Sequence, residues 1–208
     1  MVRQGRMDTL AKYAAVFGRA PAFVRDPENG GHVSAAMFPP LKRSFWRGLI
    51  SEAHDVTVAI TYGLSDHAMP VAPLEQKETS DRIELIAFSA VPIGGGASGK
   101  EDMASAILQM IGDCIIDQKL VVDVGHTLDL QRTLATNVEM TAVLFTLPFG
   151  IDAKRVMKCS RARELLNIVP ITPAELRLAR EQGVGALLDR FEASGIAAAF
   201  DCFRKSAV

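Results

Sequence analysis

The sequence predicts an α+β fold built on a mixed sheet, and three stretches carry that expectation. Residues 56–62 form a β-branched run that alternates Val56, Val58, Ile60 and Tyr62 against Thr57, Ala59 and Thr61, the period of a strand. Residues 83–93 are almost wholly apolar, as expected of a central strand covered on both faces. Residues 100–116 place Met103, Ile107, Met110, Ile111 and Cys114 on one helical face, with Asp102, Gln109 and Asp113 opposite. The predicted order is helix, strands, helix, strands, helices. It shows no regular βαβ alternation, no repeat and no low-complexity linker. One domain over 1–208 is therefore expected, with an N-terminal helix and loop in 1–33 and the core in 34–195.

Along the chain, Asp8 is a good N-cap for a first helix that ends before Gly18, with Leu10, Tyr13, Ala14 and Phe17 as its buried stripe. Residues 19–31 hold Pro21, Pro27 and Asn29-Gly30-Gly31 and read as a loop. Pro39-Pro40 forbids helix, because proline lacks a donor and restricts the residue before it. The polar stretch 66–81 reads as a loop, and 120–124 and 140–147 as further strands. Thr172-Pro173-Ala174-Glu175 is a capping box with proline at the first helical position. Gly183 and Gly185 divide that helix from a second one, which Gly195 ends, and 196–203 reads as a last amphipathic turn or two.

Composition excludes some classes of function. The net charge is −1 and the basic residues are scattered, so there is no electrostatic case for nucleic acid or an acidic membrane. The three cysteines, Cys114, Cys159 and Cys202, are far apart and form no CxxC pair. That favours reduced thiols in a cytoplasmic protein. Residues 1–6 have no apolar stretch behind them, so no signal peptide is visible, and no apolar run is long enough to cross a bilayer.

One motif points toward nucleotide chemistry. Residues 94–100, Gly-Gly-Gly-Ala-Ser-Gly-Lys, have phosphate-loop spacing between a predicted strand and a predicted helix, and Asp123 ends an apolar stretch as a magnesium-binding aspartate would. The next position must be Ser or Thr to ligate magnesium, and here it is Glu101, whose carboxylate repels phosphate. A loop with a charged helix start is the simpler reading. The histidines, His32, His54, His67 and His126, show no HxH or HExxH spacing, and no Gly-x-Ser-x-Gly elbow exists. No catalytic residue, metal ligand or cofactor is expected.

Several segments, in order, resemble the suppressor-of-fused family. They are His54 followed by Tyr62-Gly63-Leu64-Ser65-Asp66, then Glu84-Leu85-Ile86, the helix after Glu101, Gly125-His126, Pro148-Phe149-Gly150, Glu164-Leu165-Leu166 and Pro170-Ile171-Thr172. The match spans about 34–189 and is similar in size to bacterial single-domain members, some of them linked to toxin immunity. It lacks the second domain of animal relatives and carries a glycine-rich insertion at 94–99. The resemblance implies a non-catalytic module whose partner is another protein, in a monomer or homodimer. A toxin-neutralising role is its narrower form, and a nucleotide-binding protein using the glycine loop is the alternative. Tyr62, Ser65, Asp66 and His126 are the candidate partner-binding residues. Tyr62 also completes the row of Val56, Val58 and Ile60, and in that case it belongs to the core.

Overall fold

The computed structural model describes residues 2–27, 31–41, 56–70, 80–89, 100–148, 150–197 and 199–208. The glycine loop 94–99, His54, Phe149 and the end of the expected strand at 90–93 lie outside the described residues.

The elements run α1 (Val2–Phe17), β1 (Phe23–Arg25), β2 (Ser34–Leu41), β3 (Val56–Tyr62), β4 (Ile83–Ser89), α2 (Lys100–Asp117), β5 (Thr127–Asp129), β6 (Ala142–Thr146), α3 (Ala153–Met157), β7 (Glu164–Ile171), α4 (Pro173–Gln182) and α5 (Val184–Ala193). Seven strands form one mixed sheet in the order β1-β2-β3-β4-β7-β6-β5. All neighbours are antiparallel except β4 and β7, which run parallel with Ile83 opposite Glu164. The apolar stretch at 83 is therefore the middle strand. It is buried on both faces, as its composition requires.

Helices cover both faces. One face, with Ala59, Leu85, Ala87, Val143, Phe145, Leu166 and Ile168, packs under Ile107, Leu108 and Ile111 of α2. On the other, Ala36, Phe38, Val58, Ile60 and Phe88 meet Leu10, Tyr13 and Phe17 of α1 and Val156 of α3. Beside them, Leu144, Val169 and Ile171 lie under Leu176 of α4 and Leu187 and Phe191 of α5. Alternate residues of β6 and β7 thus go to opposite faces, which fixes the register.

Several expectations need correction. α1 begins at Val2, so Asp8 lies inside it. Its end is as expected: Gly18 is left-handed (φ 68) and Arg19 N donates to Ala14 O at 3.1 Å, which satisfies a terminal carbonyl. Part of the expected loop at 19–31 is the edge strand β1. Residues 120–124 are not a strand. Left-handed Lys119 (φ 52) closes α2, Leu120 N donates to Ile115 O at 2.9 Å and Lys119 N to Ile116 O at 3.2 Å. The chain then buries Val122 beneath α2 and enters the sheet at β5. Gly185 is inside α5, so Gly183 alone divides the last two helices. Among the described residues of 196–203, none is helical. Phe200 and Cys202 plug the α2 face, with Phe200 N donating to Phe88 O at 2.6 Å. Two expected solvent-facing residues of α2 are inward latches. Gln109 donates to Asp26 O and Val33 O, and the Asp113 carboxylate accepts from His32 N and Val33 N.

Candidate functional site

The turn after β3 is built around a buried carboxylate. Glu84 is fully buried and accepts four hydrogen bonds: from Thr61 Oγ1 at 2.5 Å, Gly63 N at 3.2 Å, Ser65 N at 3.2 Å and Ser65 Oγ at 2.8 Å. An acid placed in an apolar strand must find such donors, since an unpaired buried charge is costly. Burial raises the Glu84 pKa, and the hydroxyl and amide donors act against that rise. Gly63 sits at φ 99, a conformation that L side chains rarely adopt. A Cβ there would also stand 3.0 Å from Arg6 Nε.

One arginine braces this turn from outside and a second stands beside Gly63. Arg82 Nη1 donates to Ser65 O at 2.7 Å and Asp66 O at 3.2 Å. Arg6, reaching from α1, donates to His32 O at 2.5 Å and Ser34 Oγ at 3.5 Å. Tyr62 is only 2% exposed, and its hydroxyl donates to Asp26 Oδ1 at 3.4 Å. Burial pushes its pKa up to about 12. Ser65 is buried, while Asp66 is exposed and lies 3.8 Å from Arg161. Next to the turn, the rings of His67 and His32 meet edge to face at 5.5 Å, and His32 Nε2 lies 3.1 Å from Asp117 Oδ1. Burial, then the neighbouring His32, lowers the His67 pKa.

His126 is exposed on a turn tied to β6, where Gly125 N donates to Phe145 O at 2.8 Å and Phe145 N to His126 O at 2.9 Å. Strand directions decide whether it can work with the first turn. Tyr62 lies at the end of β3 that pairs with the start of β2. The start of β4 and the start of β7 are at that same end. The finish of β6 and the start of β5 join them there. All the candidate residues thus share one end of the sheet. Four strand spacings separate β3 from β5, roughly 19 Å. Tyr62, Ser65 and Asp66 come together, while His126 stands apart on the same rim.

The same end carries Leu147 and Pro148, just after β6. Leu147 is 61% exposed, and an open groove of about 790 Å³ runs past Leu147 and Pro148 toward α3. Among the described residues, no group of three or more His, Cys, Asp or Glu side chains could hold a metal ion. The three cysteines are free, and burial raises the pKa of each thiol, that of Cys202 to about 12. None is therefore poised as a thiolate.

The sequence reading named the turn but not what holds it. Glu84 stands in the sequence both within the Glu-Leu-Ile pattern and as a carboxylate with no partner in view, and no local motif marks Arg6 or Arg82. A lone glutamate in an apolar strand was the available signal, because it requires partners.

The family model described as Suppressor of fused protein (SUFU) matches residues 45–205. No curated protein matches the sequence. A suppressor-of-fused homologue from Neisseria gonorrhoeae superposes with a TM-score of 0.63 at 13% identity, over 99% of this chain and 98% of its own. A chain of the Sufu–Fu complex gives 0.63 at 16% identity, over 98% and 92%. Drosophila Suppressor of Fused gives 0.64 at 14% identity over 98% of this chain but 51% of its own, so this chain spans about half of that protein's length. At these identities the structures share the fold alone. No helix among the described residues is long and apolar enough to cross a membrane.

Proposed function

We propose that this chain, which belongs to the suppressor of fused family, is a single-domain, non-catalytic module that binds another protein through the loops at one end of its sheet. The observation that carries this reading is the convergence of the turn at 62–66, the segment 125–126 and Leu147, just after β6, on that end. A rigid sheet presenting loops at one rim is the usual arrangement of a binding surface. One solved relative belongs to the Sufu–Fu complex, which supports a protein as the partner.

The residues divide by burial. Tyr62 and Ser65 shape the surface from beneath, and Asp66 and His126 face the partner. The narrower reading, in which the partner is a toxin that this chain neutralises, has no residue of its own to carry it. The identity of the captured protein tests it. The nucleotide-binding alternative rests on residues 94–100, of which 94–99 lie outside the described residues.

The test is capture of a native partner by tagged protein, with Asp66→Ala and His126→Ala compared against the unaltered chain. The expected result is weakened capture with an unchanged melting temperature, since both side chains are exposed. Capture undiminished in both variants and in their combination overturns the assignment to these loops. Magnesium-dependent ATP or GTP binding that is lost in Lys100→Ala promotes the alternative.

A further inference from the structure

The basic residues of 154–163 stand beside an apolar groove at this end of the sheet. Lys154, Arg155, Lys158, Arg161 and Arg163 are all exposed, in a chain whose net charge is only −1. Arg161 lies 3.8 Å from Asp66 and Arg163 lies 3.2 Å from Asp81. Among the described residues, no carboxylate lies within ion-pair distance of Lys154, Arg155 or Lys158. The adjoining groove, about 790 Å³, has Leu147, Pro148, Ala153, Met157 and Leu165 in its lining. Ala153 and Met157 are four apart on α3, so one helical face looks into the groove while Lys154 and Lys158 follow it one position on.

We propose that this groove docks an acidic protein segment that carries one bulky apolar side chain. The inference rests on the reading of the chain as a protein-binding module and names the chemistry of the partner. The apolar side chain would fill the groove and cover Leu147, supplying affinity as a buried anchor does. Carboxylates flanking it would meet Lys154, Arg155 and Lys158, which steer encounter and set orientation more than they add affinity. Nucleic acid fits less well. The described lining offers aliphatic side chains and no aromatic ring on which a base could stack.

The test uses the full chain and fluorescence anisotropy. The probes are a fluorescein-labelled peptide of glutamates around a central leucine, the same peptide with serine for leucine, a lysine version, a single-stranded oligonucleotide and anionic phosphatidylserine vesicles. The glutamate–leucine peptide should bind. Its affinity should fall about tenfold or more in Leu147→Ser, in the double variant Lys154→Glu/Lys158→Glu and on leucine-to-serine exchange in the peptide. Arg190→Glu, on exposed α5 surface, is the control and should bind as the unaltered chain does. All the substituted side chains are exposed, and thermal melting checks that each variant folds. The proposal is overturned if the glutamate–leucine peptide does not bind, if Leu147→Ser binds it equally well, or if the oligonucleotide or the vesicles bind more tightly. Native-partner capture that survives both groove variants overturns the groove and leaves the protein-binding reading in place. A chain that captures no protein at all overturns that reading itself.

Discussion

Ser65 and Glu84 show how a surface turn is specified from inside. The glutamate's two oxygens take all four of their bonds from Thr61, Gly63 and Ser65, so the backbone of the turn is held by a buried acceptor on the neighbouring strand β4. Ser65→Ala removes one charge-assisted hydrogen bond and leaves a buried carboxylate under-satisfied. A loss of roughly 1.5–3 kcal/mol in urea unfolding is expected. Glu84→Gln should cost less than Glu84→Ala. The amide oxygen can keep the bonds from Gly63 and Ser65, while its nitrogen can donate to Thr61 Oγ1, whose own hydrogen can turn to Leu85 O at 3.4 Å. Equal losses for the two variants would mean that charge rather than geometry holds the turn. The same residues show what a sequence conceals: Tyr62 fits the inward row of β3 and does lie buried, but its contact with Asp26 crosses loops that no local pattern connects.

At the scale of elements, strong local signals were legible and long-range ones were not. The run at 56–62, the helix starting at 100 and the capping box at Thr172 each carry their own periodicity or cap, and each stands where it was read. β7 was not read as a strand. Its run from Glu164 to Ile171 holds Asn167 and Pro170, and it sits between β6 on one side and, on the other, β4 from some eighty residues earlier. The tail after α5 was misread as helix because its apolar residues are spaced for plugging a core. What secures its far end is an ion pair. Arg204 donates to both oxygens of fully buried Glu175, at 2.6 and 2.8 Å, and to Pro170 O at 2.8 Å. Burial alone would raise the Glu175 pKa, but the bonds from Arg204, Ala207 and Thr172 outweigh it and hold the group below its ordinary 4.5. A depressed folded value makes the ionised pair stabilising above pH 4.5, and that contribution is lost as pH falls through the folded value. Arg204→Ala, which strands the carboxylate, should cost about 3–5 kcal/mol near neutrality. Its stability should also fall less steeply than the unaltered chain's between pH 4.5 and lower pH. Parallel pH curves would remove the pair from this role.

Over the whole molecule, the sheet order concentrates stability at its centre. β4 and β7 are flanked on both sides by other strands and covered on both faces, by α2 on one and by α1, α3 and the last two helices on the other. β1 and β5 are three-residue edges; Phe23 and Val24 of β1 are 37% and 39% exposed, and β5 is half-buried throughout. Amide groups open from the least buried ends first, so local opening should be easiest at the edges and hardest in the middle. The parallel β4–β7 pair must also close a loop of about eighty residues before it gains any contact, which places folding among the slower topologies. Native-state hydrogen exchange should show the greatest protection at Leu85, Ile86, Leu166 and Ile168, and the least at residues of β1 and β5. Leu166→Ala removes a fully buried side chain from the α2 face and should lower stability by roughly 2–5 kcal/mol. It should shift exchange of the β4 and β7 amides by the same amount, because those sites open only when the whole sheet does. Unchanged protection in β4 after a measurable loss of global stability would show that the two halves of the sheet, β1–β4 and β5–β7, open independently.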